Sequence, residues 1–304
     1  MERRLRVARA SLVCVYGGVG VPPLADRRPD VGIVPVPKVE GTWTVNKALD
    51  TFSATKPAEG TASPVPYFHI LERLKTTKRE GWKRFGINRC AVLCSRSIPL
   101  VLTRRNRGES IADHMYRMSL MTMLCPPALA KKLDLSRCMK MCLVHDMAES
   151  LVGDITPVEG VPKPEKSRRE AETMDYITGR LLGGVNGGDV GAQIREIWQE
   201  YEDSETLESV FVHDIDKMEL LLQMTEYEKR GEGKLDLGEF AYVKLKIALP
   251  EVKEWAEELV QQREEFWGGR QHSRGDVGPD GGVGADFKKK QESFYEGHGQ
   301  GQKK

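Results

Sequence analysis

The sequence predicts an all-α domain spanning residues 67–267 of a 304-residue chain. Apolar side chains recur there at intervals of three and four, strand-like alternation is nearly absent, and helix-starting and helix-stopping residues punctuate the pattern. Phe68, Leu71 and Leu74 mark one face of a first helix over residues 67–78, which Gly81 ends. Ser110 opens the next. SIAD has the Ser-x-x-Asp form of a capping box, and MYRMSLMTML continues the helix until Pro126 and Pro127 stop it. A third helix is expected over residues 136–152. A fourth, over 164–182, is laced with charge (EKSRREAE) and stopped by Gly183 and Gly184. Further helices are expected over 190–202, 205–229 and 240–267, the last kinked at Pro250, whose missing N–H breaks the ladder.

The ends lack such a pattern. Residues 1–66 are expected to be a disordered leader and linker. The first 25 hold four arginines and one acid ahead of a short apolar run, the composition of an organelle-targeting leader or of a misassigned start, and residues 26–65 are rich in Pro, Gly, Thr and Ser. Residues 268–304 contain 10 glycines and cannot bury enough apolar surface to fold alone, so they are expected to form a disordered tail. Residues 88–107, with five arginines and no acid around an apolar centre, read as an atypical insertion or as translated non-coding sequence.

Composition narrows the function classes. Lys plus Arg total 46 against 45 Asp plus Glu, and a net charge of +1 supplies no global field for nucleic acid or an anionic membrane. A small-molecule partner is the better default. No run approaches the roughly 18 consecutive apolar residues of a membrane span. The six cysteines show no CxxC spacing, and Cys125, Cys138 and Cys142 lie on helix-patterned segments, as reduced core thiols of a cytoplasmic protein would.

Against that background VHDMAESLVGD, residues 144–154, stands out. Ionisable groups on an apolar helix are costly unless paired or bound to a metal. On a continuous helix His145 and Glu149 are i and i+4 and Asp146 and Glu149 are i and i+3, so the three converge, and Gly153 lets the chain turn to bring Asp154 toward the same end. A lone histidine on such a face is ordinarily a core residue bonded to a backbone carbonyl. Here it has company. His114 falls among Ile111, Met115, Met118 and Met121, and the later helix FVHDIDKMELLL offers Asp214 and Asp216 as competing carboxylates, Asp216 lying on the apolar side. In helical bundles metal sites are built from such facing positions, and a mixed imidazole and carboxylate set suits Mn, Fe, Co, Zn or Mg.

The series H…HD…D over consecutive helices, carried by ESIADHMYRM, LVHDMAESLVGDI and EKSRREAE, resembles the HD-domain superfamily. More narrowly it is similar to the HD domain-containing protein 2 and bacterial 5′-deoxynucleotidase family, over residues 67–265. The resemblance implies an HD-domain helical bundle that removes the 5′-phosphate from deoxyribonucleoside 5′-monophosphates, often as a homodimer. It also implies a divalent cation held by His114, His145, Asp146 and Asp216, with acidic roles for Glu149 and Asp154, which would be the catalytic pair or would hold a second cation. Trp82 resembles the family's tryptophan beside the nucleotide sugar. Gly81 stands where the bacterial enzymes have an arginine, leaving Arg79 as the nearest one, and the stretch from Trp82 to Ser110 is longer than the family's loop by about the length of residues 88–107.

The residues' own chemistry agrees. A divalent ion held by imidazoles and carboxylates can acidify a water and neutralise a phosphoryl oxygen, and Glu149 is placed to move a proton. Lys163, Lys166, Arg168 and Arg169 follow the acidic cluster, and Lys163 and Lys166 are candidates, with Arg79 and Trp82, for contact with substrate. Two other functions fit the pattern: an HD hydrolase for another phosphate ester, and a catalytically silent nucleotide-binding protein.

Overall fold

The computed structural model describes residues 39–51, 56–87 and 108–275; the leader proper, the Arg-rich segment and most of the Gly-rich tail lie outside them. The described residues form helices and no strand, so the all-α expectation holds for them. A lone bridge pairs Lys78 with Ser110.

Local signals set most helix starts. Helix α1 (Val45–Asp50) is capped by Thr44, and α2 (Val65–Thr76) begins at a proline pair. Helix α3 (Ile111–Thr122) starts at the expected capping box: Ser110 Oγ accepts from Asp113 N at 3.1 Å and Asp113 Oδ2 accepts from Ser110 N at 2.8 Å. The short α4 (Pro127–Ala130) follows the proline pair, and Asp134 caps α5 (Leu135–Val144). Then come α6 (Glu149–Val152), α7 (Lys163–Asp175), α8 (Asp189–Asp203), α9 (Leu207–Arg230) and α10 (Pro250–Trp267). Helix α9 is the central column, with α3, α5 and α10 packed along it, while α2 covers α3 and α6. Met118, Met141, Phe211, Ile215 and Leu221 fill the space between them, all fully buried. The thiols of Cys125, Cys138 and Cys142 are free and buried in the same core, as expected. No described helix is long and apolar enough to cross a membrane.

Five expectations are corrected. Residues 43–50 are not linker: Trp43, Val45, Ala48 and Leu49 are buried, Val45 N donates to Glu172 Oε1 at 3.1 Å, and Arg168 Nη2 donates to the Trp43 carbonyl at 2.9 Å. In α2 the inner edge is Ile70 and Leu74, while Phe68 faces outward, 56% exposed. The helix expected over 136–152 breaks after Val144. Bonds from Met147 N to the Val144 carbonyl (3.0 Å) and from Glu149 N to the Asp146 carbonyl (3.0 Å) close three-residue turns before α6 resumes. The fourth helix changes pitch, α7 passing into a wider π-helical stretch at Tyr176–Leu181.

The helix expected over 240–267 is likewise two pieces, a 3₁₀ segment at Gly238–Lys246 and then α10. Proline forces its predecessor out of helical geometry, and Leu249 is extended at ψ 131°, so Pro250 starts a helix instead of kinking one. Asp214 holds this corner: its carboxylate accepts from Ala248 N at 2.9 Å and from Leu249 N at 2.7 Å.

Candidate metal centre

Three helices deliver the donors. His114 projects from α3 with no exposed surface, and its Nδ1 lies 2.6 Å from Glu219 Oε2 on α9. His145 ends α5, with Nδ1 3.0 Å from the Cys142 carbonyl. A carbonyl can only accept, so His145 carries its proton on Nδ1 and turns the Nε2 lone pair inward; an ionised Glu219 imposes the same tautomer on His114. The two rings lie 5.5 Å apart between centroids. Asp146 Oδ2 sits 3.2 Å from His145 Nε2 and 3.8 Å from His114 Nε2, and Asp216 Oδ1 sits 3.2 Å from His114 Nε2. His114, His145 and Asp146 thus offer ligand atoms all within 4.8 Å of one another.

This donor set fits a cation. Buried lone pairs facing carboxylate oxygens at such distances repel unless positive charge lies among them. His114 Nε2 makes no hydrogen bond, and neither does Glu149 Oε2, although both are buried. Burial and Arg79 press the His114 pKa down, but Glu219 and Asp216 outweigh them and lift it to about 10. Two carboxylates thus draw positive charge to His114 Nε2, the position a cation would take. Burial also opposes ionisation of Asp146 and Asp216, yet His145, Arg79 and His114 hold both carboxyls far below the usual range. Of the two competing aspartates, the structure brings Asp216 to the imidazoles, and Asp214 is occupied by the backbone of residues 248 and 249.

Around this centre lie groups of both signs. Glu149 is buried at the start of α6, and burial together with Asp146 and Asp154 drives its pKa well up. Asp154 Oδ2 accepts from Glu80 N at 2.6 Å, tying the 79–80 backbone to the motif. Arg79 Nη1 reaches Asp146 Oδ2 at 3.1 Å. Burial would lower the Lys166 pKa, but Glu170, Glu149 and Asp154 raise it strongly, so its ammonium stays charged among the carboxylates. Lys163 lies further out, beside Glu202 and Lys166. Arg168 and Arg169 turn instead to Glu165 and Glu172. Trp82, expected beside the sugar, is 1% exposed, packed on Tyr227 and Phe240, and donates Nε1–H to Glu109 at 2.7 Å. Its faces are covered by the core.

The sequence profile of the HD domain matches residues 98–255. The chain belongs to the HD-domain family. Among its relatives, the 5′-deoxynucleotidase hdd1 of Schizosaccharomyces pombe is 45% identical over 206 residues, covering 67% of this chain and 92% of the relative. The 5′-deoxynucleotidase YGK1 of Saccharomyces cerevisiae is 39% identical over 201 residues, 66% of this chain and 83% of the relative. The human 5′-deoxynucleotidase HDDC2 is 38% identical over 176 residues, 58% of this chain and 74% of the relative.

Within this HD domain several residues at the centre escape sequence reasoning. Glu219 and Arg117 look like the charged face of their helices, yet Glu219 is 1% exposed. The available signal was position: Glu219 falls one turn after Asp216, and Arg117 one turn after His114. Tyr201, whose ring centroid lies 4.9 Å from that of His145, and Trp198, which bonds the His145 carbonyl, come from α8 and carry no local signal.

Proposed function

We propose that the chain is a metal-dependent 5′-deoxynucleotidase that releases phosphate from deoxyribonucleoside 5′-monophosphates. The observation that carries this reading is the pair of inward Nε2 atoms beside Asp146, each imidazole already engaged through Nδ1. The names borne by relatives at 38–45% identity support the substrate class.

In this reading His114, His145, Asp146 and Asp216 hold one divalent cation. When bound, the cation supplies acidity to a water and neutralises charge on the phosphoryl group. Lys166 and Arg79 bind the phosphate oxygens, their charges already concentrated on this spot by the carboxylates. Lys163 draws the anion in from the rim. Glu149, whose burial beside Asp146 and Asp154 favours the neutral acid, gives a proton to the 5′-oxygen as the P–O bond breaks, so that the deoxynucleoside leaves as an alcohol and not as an alkoxide. Asp154 fixes the backbone that carries Arg79, or shares a second cation with Glu149. A homodimer belongs to the same proposal: Tyr116 and Leu120 on α3 and Met123 at its C-cap leave an exposed apolar stripe that a two-fold copy of itself can cover. The domain boundaries, with the functional unit at residues 67–267, are also proposed, extended now to include α1.

The deciding experiment is phosphate release from a panel of ribo- and deoxyribonucleoside 5′-monophosphates, with and without added Mn, Co, Mg or Zn, alongside the solution mass. Metal-dependent release from the deoxy compounds is expected. Turnover of phosphodiesters or triphosphates in preference, or none at all with metal bound, would replace this reading with another HD-domain function.

A further inference from the structure

We propose that Glu219 is a positioning residue that fixes the tautomer and the ring orientation of His114, and so sets the affinity of the centre for its cation. The proposal rests on the reading of His114 as a metal ligand. Glu219 lies on α9, 1% exposed, and both of its oxygens are committed. Oε2 stands 2.6 Å from His114 Nδ1, while Oε1 accepts from Arg117 Nε at 2.8 Å and Nη2 at 2.5 Å. Arg117 is itself held by Gln223 Oε1 and Glu226 Oε1, each at 2.9 Å.

A buried carboxylate would cost several kcal/mol if left alone. Here the guanidinium compensates its charge on one side, leaving the other oxygen to orient the imidazole. Rotating the His114 ring by 180° about χ2 would place a C–H against Glu219 and turn Nδ1 away from it, so the observed orientation is the one that presents Nε2 to Asp146 and Asp216. The same bond raises the electron density that Nε2 offers a cation, and a carboxylate behind a ligating histidine acts this way in general. Because Glu219 and Asp216 share α9, one helix supplies both a carboxylate in front of His114 and a carboxylate behind it.

A merely structural role, an ion pair joining α3 to α9, would make Glu219 and Arg117 equivalent. The test separates them by titrating full-length, chelator-stripped protein with Co²⁺ against a chromophoric chelator. Glu219→Gln should raise the Co²⁺ dissociation constant about 10–100-fold. Arg117→Met breaks the same ion pair but leaves the His114–Glu219 bond, and should raise it less than about 3-fold. Activity of Glu219→Gln should return at saturating Co²⁺ with an unchanged KM for substrate. Unaltered Co²⁺ affinity in Glu219→Gln, or an equal loss in Arg117→Met, overturns the proposal. Should Glu219→Gln fail to fold, ¹⁵N-histidine NMR of the Zn²⁺-loaded wild type decides, with the His114 signals assigned by their absence in His114→Gln. A proton on Nδ1 is expected, and a proton on Nε2 overturns the proposal. A wild type that binds no Co²⁺ removes the ligand reading itself, a result distinct from a wild type that binds while Glu219→Gln binds equally well.

Discussion

The indole Nε1 of Trp198 donates to the main-chain carbonyl of His145 at 3.1 Å, taking the place that Glu149 N would occupy in a continuous helix. Glu149 N bonds Asp146 instead, so the chain can tighten between α5 and α6 without leaving a buried carbonyl unpaired. Trp198→Phe keeps most of the ring's packing and removes the donor. An unsatisfied buried carbonyl costs about 1–3 kcal/mol, so the urea midpoint should fall correspondingly. Activity should fall further than stability alone explains, because the break that presents His145 and Asp146 loses its tie. A variant as stable and active as wild type would show the bond to be incidental.

The two aspartates of HDID should behave oppositely. Asp216→Ala should lower metal content and abolish turnover in a protein that still melts cooperatively. Asp214→Ala should keep its metal and lose stability by about 1–3 kcal/mol, since it strips the acceptor from the buried corner before α10. Metal analysis and thermal melts on both variants check the assignment, and loss of metal from Asp214→Ala alone would reverse it. His145→Ala and Asp146→Ala should both lose metal.

Glu149→Gln preserves size and removes the proton-transfer group. General acid catalysis typically contributes 10²–10⁴-fold, so kcat for a deoxynucleoside monophosphate should drop by about that factor. Metal content should remain, and KM should change little because Lys166, Arg79 and the cation hold the phosphate. Metal loss would recast Glu149 as a ligand. Wild-type turnover would shift the proton to Asp154.

Buried thiols give a prediction free of the catalytic reading. Burial pushes the Cys138 thiol up to about 12 and raises those of Cys125 and Cys142 as well. A raised thiol pKa leaves almost no reactive thiolate at pH 8. Iodoacetamide followed by peptide mapping should leave all three unmodified until denaturant is added, and alkylation of Cys138 or Cys142 in the native protein would contradict the packing of α5.

What could be read in the sequence was local. The Ser110 capping box, the proline and glycine stops and the His145–Asp146 pair each carry their signal within a few residues, and the structure bears out the first in atomic detail. What escaped depends on distant partners. The break after Val144 is compensated by an indole 53 positions away, and Glu219 reads as a surface charge until its histidine, 105 positions away, is beside it. Pro250 reads as a kink within one helix because the corner before it is held by Asp214, 34 positions away. Asp216 was legible only through the apolar side of α9 and the family motif. Trp82 is placed near a substrate by the motif alone, and its packing on Tyr227 and Phe240 depends on partners far along the chain.

Helix α1 is the clearest case of structure hidden by composition, since six residues inside a stretch rich in Pro, Gly, Thr and Ser are too few to show a period. Yet Leu49 is 1% exposed, and α1 packs on α6 and α7, next to the turn that carries Glu149. Truncating a buried leucine removes transfer energy and leaves a cavity, at a cost of about 2–5 kcal/mol. Leu49→Ala in the full-length chain should therefore lower the urea midpoint by an amount in that range. Asp50→Ala, which removes only an exposed ion pair with Lys56, should change it by less than about 1 kcal/mol. Because α1 braces α6 from behind, Leu49→Ala should also reduce kcat well below the denaturation onset while leaving metal content intact. Equal midpoints for Leu49→Ala and Asp50→Ala would return residues 43–50 to the linker, and normal kcat in a destabilised Leu49→Ala would confine α1 to stability.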